Sequence, residues 1–255
     1  MRTQTYTTPT GSVSRLFVDC LKQSHLLIAG ATGSGKSVFE NGLIHAALYT
    51  APSQSRFILI DPKGTELIQY DQMPHTLYYA YTTEECVNAL QYAYNLTQTR
   101  FNDMRKRQLR TYDGSNVYII IDELMYLLNR PDVKKRVYNL LLDLLVIARA
   151  ARIHVIACTQ NPTRDTLPPT LRCNFDARIA LRTATKQDSR NVLEMAGCER
   201  LPNPAAYGKA YGYYRRGADC TLYELPHVTE SEIQTICNYW TRQHYKHYRY
   251  DGRRA

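Results

Sequence analysis

The octapeptide GATGSGKS, Gly30 to Ser37, restricts what this chain can fold into more than any other feature. It follows a short apolar run, HLLIA (His25 to Ala29), and leads into SVFENGLIHAALY (Ser37 to Tyr49), whose spacing is helical. A glycine-rich turn between a buried strand and a helix start is suited to phosphate. Residues without a Cβ let backbone N–H groups close on phosphate oxygens, and the helix directs its positive end at the same anion. The octet fits G-x-x-x-x-G-K-[ST], so Gly30, Ala31, Thr32, Gly33, Ser34, Gly35, Lys36 and Ser37 are expected to bind ATP. Lys36 would reach the β- and γ-phosphates and Ser37 would ligate Mg2+.

Three more apolar runs follow: RFILID (Arg56 to Asp61), VYIIID (Val117 to Asp122) and HVIACTQ (His154 to Gln160). Continuously apolar strands separated by helical stretches indicate an α/β fold with a mainly parallel sheet and helices on both faces. Further strands are expected at Ala177 to Arg182 and Lys209 to Tyr214, a loop at Gln160 to Thr170, and a closing helix over about 230–247. No repeat or low-complexity linker divides the chain. One ATPase domain is expected over 19–240, between an N-terminal arm (1–18) and a basic aromatic tail (241–255).

The sequence IIIDE supplies a second set of site residues. Asp122, at a strand tip, would hold the magnesium opposite Ser37. Glu123 would orient and deprotonate an attacking water. A whole strand, RFILID, lies between the phosphate loop and this pair. That order, with a carboxylate directly after the metal aspartate, favours the ATPase branch over GTPases and small-molecule kinases. Gln160 is either a γ-phosphate sensor or a surface glutamine at a strand end.

Composition narrows the setting. The formal net charge of +9 biases the surface toward polyanions. Seven scattered cysteines without a C-x-x-C pair fit reduced thiols and a cytoplasmic location. No apolar run approaches the ~20 residues of a membrane-spanning helix, and the first residues carry no secretory signal. His25 and His154 have no spacing that pairs them as metal ligands. The 21 tyrosines fit half-buried packing positions.

Taken in order, HLLIAGATGSGKSV, FILIDPKGTEL, RFNDMRKRQLRTYDGSN, IIIDEL, ARAARIHVIACTQNP and NFDARIALRTATKQDSRNVLEMAGCERL resemble the motor domain of the FtsK/SpoIIIE family of DNA translocases. The similarity runs from about Asp19 to Trp240. It implies a RecA-like P-loop NTPase that uses ATP and Mg2+ to move double-stranded DNA as a homo-oligomeric, hexameric ring. It also implies that Lys36, Glu123 and Gln160 act at one subunit's nucleotide, and that Arg149 is offered to ATP in the neighbouring subunit. The lesser alternative for Arg149 is a helix-surface ion pair; Arg178 and Arg190 are weaker candidates for that interface.

Some positions depart from the family pattern. Arg152 stands where glycine is usual, Asn161 where arginine is common, and LPNPAAYGKAYGYYR replaces a glycine-rich turn. No N-terminal membrane anchor and no C-terminal winged helix is recognised, which suggests a compact member from a mobile element or phage. Arg105, Lys106 and Arg107, with Arg100 and Arg110, could meet DNA phosphates or form a solvated helix face. Arg249, with Arg242, Lys246, Arg253 and Arg254, could grip DNA or belong to a plain basic tail. The alternative function is a coupling or secretion ATPase that moves a protein or protein–DNA cargo with other transfer proteins.

Overall fold

The structure, a computed structural model, describes residues 5–8, 11–160, 162–163 and 167–247. Its elements begin with β1 (Thr5–Thr8), β2 (Gly11–Ser14), α1 (Arg15–Leu21), β3 (His25–Ala29), α2 (Lys36–Thr50), β4 (Ser55–Ile60) and β5 (Thr76–Ala80). Next come α3 (Thr83–Arg107), β6 (Asn116–Ile121), α4 (Leu124–Leu128), α5 (Lys134–Ile147), β7 (Ile153–Thr159) and α6 (Pro169–Arg172). The last are β8 (Ala177–Ala180), α7 (Lys186–Leu193), α8 (Pro204–Tyr207), β9 (Tyr211–Arg216), β10 (Asp219–Glu224) and α9 (Glu230–His247).

Among the described residues, eight strands form one sheet in the order β10-β9-β8-β3-β7-β6-β4-β5. The six from β8 to β5 are parallel, and the β9–β10 hairpin closes one edge antiparallel. Alternate residues of each central strand enter opposite cores. Leu27, Ile58, Ile119 and Val155 face α3, α5 and α7, while Leu26, Phe57, Ile120 and Ile156 face α1, α2 and α9. Both faces are therefore covered, which is why these strands read as unbroken apolar runs. No helix among the described residues is long and apolar enough to cross a membrane.

Local signals set several boundaries. Thr82 and Glu85 form a reciprocal capping box that starts α3, whose acidic first turn and basic last turn complement the helix dipole. Arg152 adopts a left-handed conformation (φ 54°) at the turn into β7, so the chain keeps there the backbone that glycine takes more cheaply.

Four strands, β1, β2, β5 and β10, were not expected from the sequence. The residues of β5 are mostly half-exposed at the sheet edge, and β10 is an edge strand of mixed polarity, so neither shows an apolar run. The β1–β2 pair, TYTT with GSVS, likewise has no apolar run. The N-terminal segment also differs from expectation. Val13, Leu16 and Phe17 are buried against α2, so the packed unit begins inside the arm expected at 1–18. Helix α9 in turn runs across the expected boundary at 240.

Candidate nucleotide site

The parallel strands deliver their carboxyl ends to one edge of the sheet, where α/β proteins place their ligands. The phosphate loop leaves β3 there and is tied on both sides. Gly30 N–H donates to the Thr159 carbonyl (3.1 Å) and Ala31 N–H to the Arg182 carbonyl (2.8 Å). Gly35 stands at φ 97° as the N-cap of α2, and no side chain caps that helix. A Cβ on Gly30 would lie 2.4 Å from Ser34 Oγ. The loop is thus closed to side chains and leaves its first-turn N–H groups to an external acceptor.

Lys36 is buried beneath this loop. Its Nζ donates to Asp122 Oδ1 at 2.8 Å and to the Asp122 carbonyl at 2.9 Å. Burial opposes its charge, yet the neighbouring Glu40 and Asp122 hold the ammonium above its ordinary range. Asp122 is fully buried, and its Oδ2 has no hydrogen-bond partner; the nearest cation is Lys63 Nζ, 3.8 Å away. Glu123, also buried, accepts the Gln160 N–H at Oε1 (3.3 Å). Burial raises its carboxyl above the usual value, partly offset by Lys36. Such a group takes up a proton more readily near neutrality than an exposed glutamate. The Thr32 hydroxyl donates to Gln160 Oε1 (3.0 Å), linking Gln160 to the phosphate loop.

These residues open onto a cleft of about 890 Å3, within the range of small-ligand sites. Ala31, Thr32, Gly33, Gly35, Lys36, Ser37, Lys63, Asp122 and Gln160 form one side. The opposite side comes from Pro204, Ala205, Gly208–Ala210 and Glu224–His227. The unpartnered Asp122 oxygen, the uncapped helix start and the buried lysine fit a magnesium nucleotide. In that arrangement Asp122 and Ser37 would hold the ion and Lys36 the phosphates.

The remaining expected residues lie elsewhere. Arg149 is exposed in the turn before β7, beside a cleft shared with Lys22, Arg178 and Arg216. That is the other end of β7, roughly 20 Å from the phosphate loop at the rise of a strand. Arg178 is committed within its own subunit, to Glu194 (2.9 Å) and to the carbonyls of Val192 and Arg172. Arg190 is exposed on α7.

Arg105, Lys106 and Arg107 end α3 at the strand amino ends, far from the nucleotide cleft. Arg105 donates to Asn102 (2.9 Å), Arg107 is paired with both Asp103 and Asp113, and Lys106 is exposed. Arg100 departs from the expected basic surface. It is buried, donates to the carbonyls of Ser115 (2.9 Å) and Ala151 (2.8 Å), and lies over the Tyr112 ring. Asn161 and Arg249 lie outside the described residues.

Sequence reasoning assigned no role to Asp61, Lys63 or Glu40. Asp61 accepts four backbone N–H groups, from Lys63, Gly64, Glu66 and Leu67, and so winds the DPKGTEL loop around one carboxylate. An aspartate at a strand tip followed by Pro-Lys-Gly was the available signal. Glu40 is buried on α2 with neither oxygen partnered. Burial, and then Asp122, push its carboxyl well above the usual range.

Fold and site together define a P-loop ATPase domain with a RecA-like sheet. The FtsK/SpoIIIE family model matches residues 7–215, and the chain belongs to that family. It is 32% identical over 249 residues to the DNA translocase FtsK of Caldanaerobacter subterraneus subsp. tengcongensis, a match covering 91% of this chain and 34% of that protein. The FtsK of Leptospira interrogans is 33% identical over 242 residues, covering 86% of this chain and 25% of its own length. The chain thus spans about a third or less of these relatives. Among solved structures, the pCW3 conjugation coupling protein TcpA, a monomer form with ATPγS, shares the fold at TM-score 0.77 and 20% identity. That match covers 92% of this chain and 68% of TcpA. The cytoplasmic domain of the Type VII secretion ATPase EccC of Thermomonospora curvata does so at 0.72 and 21%, covering 85% of this chain and 28% of EccC.

Proposed function

We propose that this chain is the ATPase motor of a double-stranded DNA translocase, working in the cytoplasm as a homo-oligomeric ring that hydrolyses ATP where subunits meet. The observation that carries this reading is the convergence of Lys36, Asp122 and Gln160 on one cleft, with Glu123 held beside it by the Gln160 N–H, in a chain whose relatives are DNA translocases. Mg2+ held by Ser37 and Asp122 would supply charge neutralisation for the phosphates. Lys36 then exchanges Asp122 for the β- and γ-phosphates. Glu123 orients a water and takes its proton, and the Gln160 side chain, already joined to Thr32, registers the γ-phosphate.

Arg149 lies a strand length from its own cleft, so any action on a nucleotide is in a neighbouring subunit. DNA contacts are expected from backbone phosphates, with Arg105, Lys106 and the tail residue Arg249 as candidates. A second reading, a coupling or secretion ATPase with a protein cargo, draws on the fold shared with TcpA and EccC.

Two experiments separate these readings. Binding of a long duplex, followed across salt concentrations, should weaken steeply and without sequence preference. Titrating Glu123→Gln protein into the unsubstituted chain should lower turnover more than in proportion to its fraction if subunits act together. Strictly proportional loss would contradict the ring, and duplex binding indifferent to salt would contradict the phosphate-tracking mode.

A further inference from the structure

We propose that Lys63 senses the nucleotide state: it pairs loosely with Asp122 and transfers to the terminal phosphate when a triphosphate is bound. The inference rests on the reading of the cleft as the nucleotide site and adds a residue to it. Lys36 and Lys63 meet the same buried carboxylate from two sides, but on different terms. Lys36 holds Oδ1 at 2.8 Å with a side chain only 7% exposed. Lys63 approaches Oδ2 at 3.8 Å, an ion-pair distance beyond hydrogen-bonding reach, with a side chain 43% exposed. The first is a committed bond and the second a loose one.

The backbone under Lys63 is fixed although its ammonium is not. Asp61 pins the loop by four N–H bonds at 2.9 to 3.2 Å, those of Lys63 and Gly64 among them. The side chain therefore swings from a fixed base, and it lines the same cleft as the phosphate loop, Ser37 and Gln160. A divalent cation on Asp122 would repel this ammonium, while a triphosphate in the same cleft would offer it another anion. A diphosphate lacks that terminal group.

A second path joins the same loop to the helix carrying Ser37. Asn41 Nδ2 donates to the Ser37 carbonyl (2.9 Å), and Asn41 Oδ1 accepts from the hydroxyl of Tyr70 (2.5 Å) and, more weakly, from Gln69 (3.3 Å). Loop and phosphate helix are thus linked through Asn41, beside the Lys63–Asp122 contact.

The test compares Lys63→Met, which keeps the stem and removes the charge, with Lys63→Arg. Affinities for Mg-ATPγS and for Mg-ADP are measured at equilibrium, with thermal unfolding alongside. The proposal expects Lys63→Met to weaken ATPγS by about ten-fold, the loss of one charge-assisted contact, with ADP changed by no more than about two-fold. Lys63→Arg should restore most of the difference, since it keeps the charge. Equal weakening of both nucleotides would overturn the proposal in favour of a structural role. Tighter ATPγS binding by Lys63→Met would overturn it in favour of a lysine that merely occupies the metal's place. If the unsubstituted chain binds neither nucleotide, the site reading itself falls, and the proposal with it.

Discussion

Asp61 invites an unusually clean test, because its isosteric amide cannot replace it. Oδ1 accepts from Lys63 N–H (3.2 Å) and Gly64 N–H (3.0 Å), and Oδ2 from Glu66 N–H and Leu67 N–H (both 2.9 Å). In Asp61→Asn, whichever way the amide turns, its NH2 group faces two backbone donors. Two bonds to a charged acceptor are lost, each contributing about 1.5–3 kcal/mol, and the surviving pair meets a neutral oxygen instead. Asp61 is fully buried, so water cannot take over. After relaxation of the loop the expected cost is about 4 kcal/mol. For a chain of this size that lowers the melting temperature by roughly 8–16 °C. Urea denaturation at pH 7 measures it directly. A loss under about 1 kcal/mol, with the m-value unchanged, would refute the view that one carboxylate organises the loop.

Three further outcomes are expected. Gly42→Ala places a Cβ 2.1 Å from Phe17 Cζ, so the buried Phe17 ring must move and repack; a loss of about 2 kcal/mol or more should appear in thermal unfolding, and a melting temperature within 2 °C of the parent would contradict this packing. Lys36→Met leaves Asp122 buried without the ammonium bonded to its Oδ1. It should therefore abolish nucleotide binding and also cost about 3–5 kcal/mol of stability at pH 7; binding lost at full stability would contradict the buried pairing.

His25 is pushed down to about 4, chiefly by burial, and its Nδ1 accepts the Val155 N–H, so the folded ring stays neutral. The unfolded chain takes up that proton first. Stability should therefore be full above pH 6.5 and fall toward pH 4, by about 3 kcal/mol from this ring. In His25→Asn, whose Oδ1 can accept in place of Nδ1, acid unfolding should show that much less pH dependence. An unchanged acid limb would contradict the assignment.

What the sequence disclosed was local in origin. The phosphate loop declares itself because it packs glycines, lysine and serine into one turn, and the central strands because both their faces are covered. The β5 and β10 strands escaped because an edge strand needs only one apolar face, and its partners are set by topology. Arg100 looked like one more charge in a basic run. Its place in the buried stripe Ala93, Thr97, Arg100 and Met104 along α3 is what takes it out of solvent. Glu40 and Lys63 are legible only after folding, since Asp122, which acts on both, comes from a strand tip far along the chain. The large distance of Arg149 from its own cleft is likewise a product of topology, because the turn that carries it opens β7 at the far end of the sheet.

The account stands most directly on ATP turnover measured against added duplex DNA, single-stranded DNA and salt, with Glu123→Gln alongside. It predicts strong stimulation by long duplex, loss of that stimulation at high salt, and no turnover in Glu123→Gln protein that still binds ATP. A basal rate that depends on Glu123 yet ignores every nucleic acid would contradict the DNA motor and favour a protein cargo.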